Sequence, residues 1–329
     1  MDQLNWNPAE LLKLSGGYWS ACALHAGVKL DLFSHSGTVA ELARATACDE
    51  RGLAMLLNAL VALKLLDKEG EHYAPTPFAA EYLARNSPRY LGYIIMHHHQ
   101  LMAGWSRLDE GVQSGAPLRS TISHAGSAAE LENFEMGMFN LAMQIAPRIV
   151  ANVDLHDRQR LLDLGGGPGT YAIQFCQANP QLTATVYDLA TTRPFAEKTI
   201  AAFGLSDRID FVAGDFISDD VPDGFDVAWL SHVLHGQGPE GCALILQRAV
   251  AALQPGGILM VQEFILDDSM DAPLFPALFS LNMLLNTPQG QAYSQGQLEA
   301  MLRAAGASSI RRLEIDLPNG AGVVAGIVV

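Results

Sequence analysis

The chain has 329 residues, 49% hydrophobic and 17% charged, which is long and apolar enough for two ordered domains with their own cores. Its net charge of −15, from 20 basic and 35 acidic residues, repels phosphate backbones and anionic lipid, so no nucleic acid and no membrane surface is expected as a partner. Four scattered cysteines without C-x-x-C spacing, no apolar run of membrane-spanning length and no basic leader lead to a cytoplasmic expectation, without disulfides or zinc.

In chain order, residues 8–33 have the spacing of two helices, with Leu11, Leu12, Leu14, Trp19, Ala23 and Leu24 placed to bury one face. Thr38 and Glu41 fit a capping box opening a helix over 39–46, and a second helix is predicted over 50–63. Residues 64–74 read as a short hairpin turning near Gly70. Helix, turn, helix and hairpin make a winged-helix pattern. Its helices offer only Arg44 and Arg51 against Glu41, Asp49 and Glu50, too little positive charge to hold a phosphate backbone. A dimerising role is the expectation instead.

Helical pattern resumes over 80–84 and 90–108, followed by a Gly/Ser/Pro-rich loop over 111–126. A helix over 128–149 then carries Leu131, Phe134, Met138, Leu141, Met143 and Ile145, and a polar bridge (152–159) leads on. These features divide the chain into a helical domain, 1–150, and a second domain, 151–329. Within the first, His97, His98 and His99 are adjacent on a helix and point about 100° apart, so they cannot all ligate one metal. Metal binding is not expected; interface histidines are, with His98 or His99 in reach of a substrate pocket.

The second domain opens with a strand over 160–164, then Gly165-Gly166-Gly167-Pro168-Gly169, then a helix. Glycines there let backbone approach a ligand closely. Thr170 occupies the position of the third glycine of a dinucleotide fingerprint, and Asp163 just before the turn would repel a pyrophosphate. An NAD-dependent oxidoreductase is therefore disfavoured. Further strands are predicted over 183–188, 209–215, 225–231 and 258–264, alternating with helices, which implies a parallel sheet with its chemistry at the strands' C-terminal ends. Asp163, Asp188, Asp215, His235 and Glu263 fall on or just past five such ends. Asp188 is placed either to accept ribose hydroxyls or to cap a helix. A last hairpin, strands 310–317 and 323–329 about Pro318-Asn319-Gly320, adds an antiparallel strand.

With these residues placed, the whole chain resembles the class I S-adenosylmethionine (SAM)-dependent O-methyltransferases of the plant caffeic-acid and bacterial natural-product type. The resemblance implies a Rossmann-like α/β domain, a seven-stranded sheet with an antiparallel last strand, after an α-helical winged-helix-like domain through which the protein forms a homodimer. It implies that SAM is held by Asp163, Gly165, Gly167 and Gly169, by Asp188 and Leu189 at the ribose, by Asp215 and Phe216 in a G-D-M/F motif beside the adenine, and by Ser231. His235, in the family's L-H-D-W motif, would be the general base, and Glu263, in V-x-E, its partner. Phe134 and Met138 (F-x-x-x-M) and Asn282 and Asn286 (N-x-P-x-G) would line the acceptor pocket. The family's Asp and Trp after the histidine are Gly236 and Gln237 here, and its second Glu falls on Ala292. The reaction implied is methyl transfer to a hydroxyl of a small aromatic acceptor. The alternatives are a relative with other SAM-dependent chemistry, decarboxylation or hydroxylation, and a non-catalytic winged-helix sensor of SAM or a metabolite.

Overall fold

The computed structural model describes residues 6–118 and 126–329, which fall into two compact units, one ending at Leu101 and one running Met102–Val329. The first contains α1 (Pro8–Gly16), α2 (Tyr18–Lys29), β1 (Gly37–Thr38), α3 (Val39–Thr46), α4 (Glu50–Ala62), β2 (Leu66–Glu69), β3 (His72–Pro75) and α5 (Pro77–Tyr82). Helix α6 (Gly92–Trp105) runs across the division.

Local sequence accounts for most of this unit. The Thr38 hydroxyl accepts the Glu41 N–H at 3.4 Å while the Glu41 carboxylate accepts the Thr38 N–H at 2.8 Å, the reciprocal pair of a capping box. Gly70, at φ 60°, turns the β2–β3 hairpin, and the three strands pair antiparallel in the order β1–β3–β2. Phe33, Leu53, Leu57, Leu60 and Tyr73 form its core. The predicted apolar face of the first two helices is buried only at its end: α1 buries no residue and Leu12 and Trp19 are 72% and 70% exposed, whereas Leu24 packs against this core.

The second unit begins with α7 (Leu108–Ser114) and α8 (Ala128–Val150). Helix α7 takes residues 111–114 out of the predicted loop, and 119–125 of that loop lie outside the described residues. There follow β4 (Arg160–Leu164), α9 (Thr170–Ala178), β5 (Thr183–Asp188), α10 (Arg193–Ala202), β6 (Ile209–Ala213), β7 (Phe225–Ser231), α11 (Pro239–Ala252) and β8 (Leu253–Leu266). The chain ends with α12 (Leu274–Asn286), β9 (Tyr293–Ser294), α13 (Gln295–Ala304), β10 (Ala307–Arg312) and β11 (Ala321–Val328). The main sheet runs β10–β11–β8–β7–β4–β5–β6, with β9 paired to the end of β8. Strand β11 is antiparallel to both neighbours, as the resemblance implied. Strand β8 starts ahead of the predicted 258–264 and takes in Pro255-Gly256-Gly257, where the pairing with β7 slips register between Phe225 and Val227. Among the described residues no helix is long and apolar enough to cross a membrane.

Both faces of this sheet are covered, so its strands are apolar almost throughout, and successive side chains enter different cores. Leu161, Val186, Val227 and Trp229 enter one; Leu162, Tyr187, Ala228 and Leu230 enter the other. Trp229 anchors the first, with its ring against Tyr171 at 4.8 Å and Phe175 at 5.2 Å, and so seats α9 behind the glycine turn. Its indole N–H has no partner in the structure. Trp229→Ala is therefore expected to cost about 3–5 kcal/mol in urea unfolding, whereas Trp229→Phe keeps a ring, leaves no N–H unsatisfied and is expected to lose less than half of that. Equal losses for the two variants would contradict this packing.

Candidate active site

The glycine turn joins β4 to α9 and bends in ways only glycine tolerates: Gly165, Gly167 and Gly169 have φ of 70°, 53° and 77°. A Cβ on Gly165 would lie 2.6 Å from Val233 and 3.4 Å from the Phe216 ring, so backbone is exposed in a narrow space. Asp163 stands in β4 beneath the turn, 1% exposed. One carboxylate oxygen accepts the Ala172 N–H at 3.1 Å, and the other is buried with no hydrogen-bond partner among the described residues. Burial, opposed by the Ala172 bond and reinforced by Asp188, pushes its pKa up to about 7. A buried carboxylate oxygen without a donor favours a positively charged ligand. The ammonium and sulfonium of SAM meet that requirement and a pyrophosphate does not. The residues of the turn thus fit SAM.

Asp188 ends β5 and locks onto the turn: its carboxylate accepts the Gly167 N–H at 2.8 Å and the Leu189 N–H at 2.7 Å. Of the two roles open to it, the helix cap is not what it does, since α10 starts at Arg193 with Thr192 as its N-cap, while both oxygens retain lone pairs for a ligand. The Thr192 hydroxyl lies 3.4 Å from Asp188 and 2.9 Å from Glu135 of α8. Glu135 is 2% exposed, and burial first, then Asp188, push its pKa up to about 7 against the Thr192 bond. Sequence reasoning missed Glu135. The signal was available: α8 packs on the sheet through Phe139, Ala142, Ala146 and Ile149, and Glu135 falls on that same stripe, where an apolar residue belongs. The predicted stripe was displaced around the helix from this one, and Leu141, assigned to it, is exposed.

The other polar cluster lies at the ends of β7 and β8. After Ser231, whose hydroxyl donates to Gln262 at 3.1 Å, the chain enters a left-handed residue, His232 (φ 57°), and then a short 3-10 turn over Leu234–Gly236. That turn delivers His235 Nδ1 to 2.7 Å from Glu263 Oε2. The other oxygen of Glu263 accepts the backbone N–H of Leu234 at 2.8 Å and of His235 at 3.2 Å. His232 Nδ1 is 3.5 Å from the same Oε2. Burial would raise the Glu263 pKa, but the charge of His235 and the imidazole hydrogen bonds outweigh it and hold the carboxyl well below its usual range. Glu263 is thus a buried ionised carboxylate. An ionised carboxylate only accepts, so Nδ1 of His235 carries a hydrogen in either charge state, and in the neutral ring Nε2 has the lone pair. His232 was not expected here; its three-residue spacing from His235 was the available hint. The three residues could also present ligand atoms to one metal ion, since these lie within 4.8 Å of one another.

Phe279 of α12 packs edge-on against the His235 ring at 4.8 Å, and Phe264 lies against His232 at 4.4 Å. On the same helix Asn282 accepts from Trp105 Nε1 at 3.1 Å, and the Asn286 amide donates to the Asn282 backbone carbonyl at 2.7 Å. Gly290 crosses over the backbone of His235 and Gly236 so closely that a Cβ would strike the His235 carbonyl. Ala292 is buried, so no second carboxylate faces the histidine from that position. Asp215 accepts the Ile217 N–H at 2.8 Å just past β6. Phe134 and Met138 of α8 are half-buried. His98 and His99 lie in the first unit, where His99 meets the His25 ring at 5.6 Å and Lys29 Nζ at 3.4 Å, and His98 is exposed.

Known proteins share these two domains and this fold. Residues 112–308 match the O-methyltransferase domain and residues 12–85 the O-methyltransferase dimerisation domain. The chain is 34% identical to the 3-hydroxy-5-methyl-1-naphthoate 3-O-methyltransferase of Streptomyces sahachiroi, over 97% of this chain and 95% of that protein. Among solved structures it is similar to PigF with SAH (S-adenosylhomocysteine), at 26% identity and a TM-score of 0.90 over 98% of this chain and 100% of that one. It is also similar to human N-acetylserotonin methyltransferase in complex with SAM, at 25% identity and a TM-score of 0.86 over 100% and 99% of the two chains. With a glycine turn that fits SAM, and both domain matches in the order the fold requires, the chain belongs to the family of SAM-dependent O-methyltransferases.

Proposed function

We propose that this enzyme methylates a hydroxyl on a small aromatic acceptor, with His235 as general base and Glu263 as the residue that orients it. The observation that carries this reading is the 2.7 Å contact between His235 Nδ1 and a carboxylate fixed by two backbone N–H groups. A phenol has a pKa near 10, so at neutral pH it needs a base, and Nε2 of His235 is the nitrogen able to take the proton. Glu263 stabilises the imidazolium so formed, the role of the acid in a catalytic triad. SAM supplies an electrophilic methyl on a sulfonium. Asp163, the backbone of Gly165, Gly167 and Gly169, Asp188 with Leu189, Asp215 with Phe216, and Ser231 would hold it. The aromatic side of the acceptor is supported by Phe279 beside His235, and by a relative whose printed name is that of a naphthoate methyltransferase. Phe134, Met138, Asn282 and Asn286 are the residues we assign to the acceptor's surroundings.

The proposal is tested by screening phenols with SAM and reading the mass gain of one methyl. His235→Ala is expected to lower kcat by about 10²–10⁴ while calorimetric SAM affinity stays unchanged. Equal turnover in the variant would remove His235 from the mechanism, and loss of SAM affinity would make it a cofactor residue instead.

We also assign the exposed face of α1 and α2 to a homodimer contact. Leu11, Leu12, Leu14, Tyr18 and Trp19 are all more than half exposed, and the match to the dimerisation domain starts within that stretch. Leu12→Glu with Trp19→Glu should convert a species of twice the chain mass to the monomer in sedimentation. A monomeric wild type would contradict the assignment.

A further inference from the structure

The mechanism above leaves one buried acid without a task. Glu135 comes to the glycine turn from α8, outside every motif that the turn comprises. Its Oε1 accepts the Thr192 hydroxyl at 2.9 Å, and its Oε2 lies 3.7 Å from where a Cβ on Gly167 would stand, so the second oxygen lies against the glycine turn. A purely structural residue at this point of the α8 stripe would be apolar, since a buried carboxyl with a single hydroxyl donor costs stability.

We propose that Glu135 is a cofactor-binding residue whose carboxylate answers the positive charge that separates the methyl donor from its demethylated product. This rests on reading the glycine turn as the SAM site. SAM carries a sulfonium and an ammonium against one carboxylate; after transfer the sulfonium charge is gone. An acid beside the cofactor therefore binds the donor more tightly than the product, which favours exchange of product for fresh donor.

The electrostatics give the proposal a sign. Facing Glu135 are Asp188 from the end of β5, which raises its pKa, and the uncharged Thr192 and Gly167; Asp188 also raises the pKa of Asp163 beneath the turn. With burial, these hold Glu135 near half-protonated around pH 7. A cationic ligand favours the ionised form, so SAM binding expels protons and tightens as pH rises from about 6 to 8. SAH does so to a smaller extent.

The test is calorimetry of the full chain with SAM and with SAH, in two buffers of different ionisation enthalpy across that pH range. Wild type should release protons on taking SAM. Glu135→Gln should weaken SAM about tenfold, leave SAH within about threefold, and release fewer protons, the remainder coming from Asp163. Thr192→Val, which removes the contact that lowers the Glu135 pKa, should move the release to higher pH, and it keeps the test available if the first variant does not fold. Unchanged SAM affinity in Glu135→Gln, parallel losses for SAM and SAH, or an unmoved profile in Thr192→Val would each overturn the proposal. Failure of wild type to bind either ligand, or full SAM affinity in Asp188→Ala, would instead sink the cofactor site itself.

Discussion

A single buried carboxylate organises the chemical end of this protein. Glu263 is placed in the middle of the sheet, on β8 between β7 and β11, where water cannot screen it. Such a charge is tolerable only when its lone pairs are satisfied. Two backbone N–H groups from the Leu234–His235 turn and one imidazole do so, and in doing so they dictate the path of the chain after β7. The left-handed His232 and the tight turn that follows are the backbone's means of bringing three donors to one acid. The absence of the family's Asp and Trp after the histidine is thereby less consequential than those substitutions suggest, because the main chain does the holding.

The opposite side of the site has the inverse problem. Asp163 and Glu135 are acids with too few donors, and both are pushed up toward neutrality by burial. The glycine turn and the base thus differ in kind. In the proposed mechanism the Glu263 cluster, whose acid is satisfied, would keep a proton acceptor in one tautomer, and the Asp163–Glu135 cluster would be completed by a cationic ligand. A net charge of −15 over the chain gives both clusters a background that attracts a cation.

Much of this was legible before any coordinates. The strand and turn signals around Asp163, Asp188 and Glu263 depend on local patterns, short apolar runs and glycine's unique dihedrals, and these survive folding almost unchanged. The capping box at Thr38 and the Phe225–Ser231 strand are of the same kind. What could not be read depends on contacts between distant segments. Glu135 is separated from Asp188 by 53 residues of chain, and only the seating of α8 on the sheet joins them through Thr192. His232 likewise gains its meaning from Glu263 on the neighbouring strand. The pattern in α1 and α2 marks an apolar face, but most of it, Leu11, Leu12, Leu14 and Trp19, is exposed among the described residues, and a period cannot say what covers it.

The account depends most directly on which nitrogen of His235 holds the hydrogen. Nitrogen-15 NMR of the selectively labelled imidazole, in the resting enzyme at a pH where the ring is neutral, reads this without any substrate. The predicted result is the Nδ1–H tautomer, and a shift toward the tautomer mixture of free histidine in Glu263→Gln. A neutral His235 carrying its hydrogen on Nε2 in the wild type would contradict the role given to Glu263, and with it the assignment of His235 as the base.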